Sequence, residues 1–107
     1  MKFKFYNEEI RNEMLRVSQQ RKDLFKEYLS LKQIIQELDY FEFQALLMKE
    51  LSKGRGNKTK IIKEINNGEA YEFRIPPHDK AGVLRVEFEI EPDYHTICIT
   101  SVRVKQF

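Results

Sequence analysis

The sequence predicts an α+β fold, with helices filling its first half and an antiparallel sheet built mostly from its second. Three observations carry that expectation: an apolar stripe at helical spacing through a stretch free of Gly and Pro between Met1 and Lys53, period-2 alternation in three later segments, and short connections between those segments. At 107 residues the chain has the size of one domain, here 1-107, able to enclose a core without disulfides or metal. Hydrophobic residues are 41% and charged residues 34%, with eight Phe, five Tyr and no Trp, so the apolar content suffices to offset chain entropy.

Met1, Phe3 and Phe5 alternate with Lys2 and Lys4, which reads as a first strand over 2–6 with one buried face. Asn7 is placed to cap a helix whose first turn carries Glu8 and Glu9, where the helix dipole favours negative charge. Ile10, Met14, Val17, Leu24, Tyr28, Leu31, Ile35 and Leu38 follow 4-3 spacing, broken where Arg21 takes the expected apolar position. One helix of about 40 Å from Ile10 to Leu38 is permitted, at ~1.5 Å per residue, and so are two helices with an unmarked break. The stripe suits packing on the domain's own sheet; its alternative use is a homodimer through the long helix. Asp39 and Glu42 form a capping box for a further helix with Tyr40, Phe43, Leu46, Leu47 and Leu51 at helical spacing, ending near Gly54.

Gly54 to Asn57 reads as a loop, and Lys58 to Ile65 as either a short helix or an extended arm leading to a turn at Asn67-Gly68. Tyr71, Phe73 and Ile75 then alternate with Glu72 and Arg74, and Leu84, Val86, Phe88 and Ile90 with Arg85, Glu87 and Glu89; Pro76-Pro77 separates the two strands. Glu91-Pro92-Asp93 makes the next turn, and Thr96 to Lys105, apolar on both faces through Ile99, reads as a central strand. The architecture expected is an N-terminal strand, two or three helices, and a three-stranded antiparallel meander completing a four-stranded sheet, with helices covering one face.

The lone Cys98 has no disulfide partner within the chain, which fits a reducing cytoplasm, and no run of eighteen apolar residues or signal-peptide segment argues for a membrane. A formal charge of +2 is too small to indicate nucleic acid, yet Lys53, Arg55, Lys58, Lys60 and Lys63 are crowded into eleven residues without an acid. His78 beside Asp79, and His95 near Asp93, lie in turns without helical ligand spacing, so no metal site and no cofactor are expected. The loop GRGNKTK lacks the spacing and the preceding strand of a phosphate loop, and Ser30, Ser52 and Ser101 lack a nucleophile elbow. What remains is a set of basic side chains on the polar faces of the late strands. Arg74, Arg85 and Lys105, with Arg103, could converge on an uncovered sheet face and hold a phosphodiester without metal, flanked by the arm from Lys53 to Lys63. The same charges could instead pair across strands with Glu72, Glu87 and Glu89.

The segment from Ile62 to Lys105 resembles the C-terminal half of RelE/ParE-type toxins of bacterial toxin-antitoxin pairs, including the HigB and phage-related branch. The likeness lies in Lys63, Ile65 and Gly68 as the approach, Tyr71 to Arg74 as one strand, Leu84-Arg85-Val86 as the next, and Ile97 to Lys105 as a last strand ending in basic residues. The resemblance implies a cytoplasmic toxin that enters the ribosomal decoding site and cuts messenger RNA, neutralised by a protein antitoxin. It implies catalytic roles for Arg74, for Arg85 as the transition-state phosphate contact, and for Lys105. Glu72 stands where a lysine is common in ribosome-dependent members, which keeps open a non-catalytic alternative: a ParE-like protein directed at DNA gyrase, or an interaction protein of phage or mobile-element type.

Overall fold

The computed structural model describes residues 1–54, 56–57, 59–76 and 82–106. Its elements run β1 (Lys2–Phe5), α1 (Glu8–Gln20), α2 (Lys22–Gln36), α3 (Tyr40–Leu51), β2 (Ile62–Ile65), a 3-10 turn (Asn66–Gly68), β3 (Ala70–Ile75), β4 (Val83–Ile90) and β5 (Thr96–Lys105). The class is α+β, as the sequence predicts. The sheet has five strands rather than four, in the order β1-β5-β4-β3-β2. It is mixed: β2 to β5 form an antiparallel meander and β1 lies parallel to β5.

Local chemistry sets most element ends. The Asn7 side chain accepts the Ile10 N–H at 3.0 Å, and at α3 the Asp39 carboxylate accepts the Glu42 N–H while Glu42 accepts the Asp39 N–H, closing the capping box. The apolar stripe is not one helix. Arg21, at φ −133° and ψ 67°, leaves the helical region, and its guanidinium pairs with Asp23. The chain reverses there: Arg11, Met14 and Leu15 of α1 face Phe25, Tyr28, Leu29 and Lys32 of α2 across one small cavity. No single helix spans the four heptads, and Met14, Val17, Leu24, Tyr28 and Ile35 are buried within the chain's own core. Between β2 and β3, Asn66, Asn67 and Gly68 adopt φ of 52°, 56° and 88°, a left-handed run suited to Asn and Gly. Lys58–Ile65 resolves, over its last four residues, into the edge strand β2.

The core lies between the helices and one face of the sheet. Phe88 is its aromatic centre, with ring centroids 4.2 Å from Phe73, 5.6 Å from Tyr71 and 6.2 Å from Phe43 of α3. In β5, Ile97 and Ile99 are buried together with Val102, of opposite parity. A β-bulge reconciles them: Glu87 opposes Ser101 and Phe88 opposes Ile99, so Thr100 has no partner in β4. The extra residue returns Val102 to the core and turns Arg103 to the uncovered face.

Two outcomes follow. Phe88→Ala should lose about 3–5 kcal/mol of stability in a urea titration. Deleting Thr100 would remove the bulge and leave Ile99, Ser101, Val102 and Arg103 in regular alternation, so the deletion variant should still unfold cooperatively in the same titration, whereas deleting Thr100 and Ser101 together would drive Arg103 towards the core and Val102 out of it and should leave no cooperative transition.

Candidate phosphate-binding face

Because β3, β4 and β5 are in register, their outward side chains fall into rows across the sheet. Arg74 opposes Arg85, and Arg85 opposes Arg103. Strands ~4.8 Å apart put the three Cα atoms within about 10 Å. The adjacent row is Lys63, Glu72, Glu87 and Ser101. Lys105 stands one step beyond the arginines, exposed and opposite Val83. The helices pack on the other face, so the two rows sit on the uncovered side.

Like charges directly opposed are unfavourable, and the neighbouring row relieves them diagonally. Glu72 is the central counter-charge, only 3% exposed. Its Oε1 lies 3.9 Å from Arg85 Nε and its Oε2 3.7 Å from Arg103 Nη2. Arg103 Nη2 also donates to Glu87 Oε1 at 3.1 Å. Cross-strand pairing with Glu72 and Glu87 is therefore present, while Glu89 lies in register with Cys98, away from the arginines. The two rows still hold four cations to two carboxylates. The Nε atoms of Arg74 and Arg85 are buried with no hydrogen-bond partner among the described residues.

The basic arm divides. Glu50, buried at the end of α3, accepts the Ile61 N–H at 2.7 Å and pairs with Lys53 at 2.6 Å. Lys53 Nζ donates onward to the Thr59 carbonyl and Lys60 Nζ to the Lys53 carbonyl, each at 3.2 Å. Lys53 is thus a tether between α3 and the edge of the sheet. Lys60 and Lys63 instead line a cleft of about 480 Å³ with Gly56, Asn57 and Arg74. Arg55 and Lys58, also expected to contact RNA, lie outside the described residues, as do His78 and Asp79.

At the far end of the sheet, Asp93 accepts the backbone N–H of His95 at 2.8 Å and that of Thr96 at 3.2 Å, which holds its carboxyl below the usual range. His95 is a turn residue there. Cys98 is buried on the uncovered face, and burial pushes its thiol up. Among the described residues no group of three His, Cys, Asp or Glu side chains is placed to hold a metal ion, and no helix is long and apolar enough to cross a membrane.

The sequence reading put Arg74 and Arg85 on the polar faces of their strands and Arg103 with Lys105 on one face of the last; register brings Arg74 and Arg85 together, and the bulge at Thr100 adds Arg103. That reading named Glu72 and Glu87 as possible cross-strand partners but not that Glu72 serves both Arg85 and Arg103, since register across strands separated by a loop is not encoded locally. It also missed Glu50, whose partner Ile61 lies beyond the α3 end; the only local signal was an acid at an inward helical position of α3, three residues before Lys53. Comparison with protein families, with curated proteins and with solved structures finds no match.

Glu72→Gln removes the charge that offsets Arg85 and Arg103. It should cost about 2–3 kcal/mol in denaturant unfolding and at the same time tighten binding to a polyanion such as heparin, read as later elution in a salt gradient. Glu72→Gln eluting with the parent would show that the arginine row does not meet the polyanion.

Proposed function

We propose that this protein is a RelE/ParE-like toxin that grips messenger RNA on the ribosome and cuts it without metal, acting in the cytoplasm under the control of a protein antitoxin. The observation that carries this reading is the row of Arg74, Arg85 and Arg103 across three adjacent strands of the uncovered face. Planar guanidiniums donate in pairs to phosphate oxygens and stabilise the charge that accumulates when the neighbouring ribose 2′-hydroxyl attacks phosphorus. Arg85, flanked on both sides, is the phosphate contact at the reacting centre; Arg74 and Arg103 hold the adjoining backbone, and Lys105 extends the positive track along β5.

A second reading, a non-catalytic binding protein of ParE-like or mobile-element type, is favoured by Glu72 and Glu87. Their carboxylates already engage Arg85 and Arg103, so an RNA phosphate must displace them before those guanidiniums can act on it.

Induced expression separates the two. The toxin reading expects growth arrest with message cleavage, and the double variant Arg85→Ala, Lys105→Ala should reduce cleavage by about 10²–10³-fold. Arrest with intact messages and altered supercoiling would favour the gyrase-directed form. Unaffected growth and messages, together with no change in the double variant, would end the enzyme reading.

A further inference from the structure

Beside the arginine row, at the β2 edge, the cleft of about 480 Å³ gathers three cations from three places in the chain: Lys60 from the loop, Lys63 from β2 and Arg74 from β3. No carboxylate is among its described lining residues. Glu72, in register with Lys63, turns its two oxygens to Arg85 and Arg103. Lys63 and Arg74 have no ion-pair partner among the described residues. Lys60 commits one donor to the Lys53 carbonyl, and an ammonium has three. Gly56, at φ +76° with open space where a Cβ would stand, leaves the turn backbone bare at the cleft wall.

We propose that this cleft binds a phosphate monoester, the terminal phosphate of an RNA 5′ end or of a free mononucleotide, in contrast to the internal phosphodiesters served by the arginine row. A phosphodiester carries one negative charge and needs an exit for the chain on both sides; a monoester carries close to two at neutral pH and leaves on one side only. Three converging cations at one edge of the sheet match the second pattern, and the volume is in the range that holds a nucleotide. The inference rests on the RNA reading only for what carries the phosphate.

The test is fluorescence anisotropy with a 3′-labelled oligoribonucleotide bearing either a 5′-phosphate or a 5′-hydroxyl, with adenosine monophosphate and adenosine as competitors. The 5′-phosphorylated strand should bind about tenfold more tightly. Lys63→Ala, at an exposed position, and Arg74→Lys should each abolish the preference with unchanged circular dichroism. Competition by the monophosphate but not by adenosine identifies a free nucleotide as ligand; preference without such competition identifies the RNA end. Equal affinity for the two strands with no competition by the monophosphate, or a preference that survives Lys63→Ala, overturns the proposal. No message cleavage by the parent protein with the preference intact would sink the toxin reading alone, and cleavage by the parent without the preference would sink the cleft alone.

Discussion

The pleat of β4 is the constraint on which both the core and the candidate site depend. Leu84, Val86 and Phe88 must face the helices, and Phe88 alone meets aromatic rings from α3 and from its neighbour β3. A strand that buries alternate residues sends the others outward, so Arg85 and Glu87 are committed to the opposite face by the same packing. Pairing with β3 and β5 then extends each outward residue into a row. The arginine row is in this sense a by-product of burying Phe88 in register.

That register depends on one unpaired residue. Ile97 and Ile99 and the later Val102 cannot share a face of a regular strand, and Thr100 absorbs the mismatch. The energetic reason is plain: leaving Val102 in water and burying the Arg103 guanidinium would cost far more than a local break in the ladder. The bulge therefore links core packing to the placement of a surface charge some two strands from Arg74.

The uncovered face is also balanced between two uses. Three arginines in a row repel, and Glu72 beneath them makes the arrangement stable without neutralising it. Glu72 makes the face foldable and also competes with any anion that binds there. The cleft at the β2 edge escapes that competition because Glu72 turns its oxygens to Arg85 and Arg103, while Glu50 is taken up by Lys53 and the Ile61 N–H.

Much of this was legible in the sequence. Strand alternation, the Asn7 and Asp39 caps and the burial of Cys98 follow from neighbours within a few residues, where propensity and periodicity act directly. The gap in the apolar stripe at Arg21 marked a place for a break without deciding between one helix and two, and two further features were decided only by the tertiary structure: the parallel docking of β1 on β5 and the pairing of Ile62–Ile65 as a fifth strand. Each depends on partners far along the chain, and no local Gly, Pro or alternation marks it. The same division holds for the site. Strand parity put Arg74 and Arg85 on one face, but Arg103 joins them only through the bulge at Thr100, and which carboxylate lies among them, and which lysines are tethers rather than free charges, is a matter of register and packing that no local pattern records.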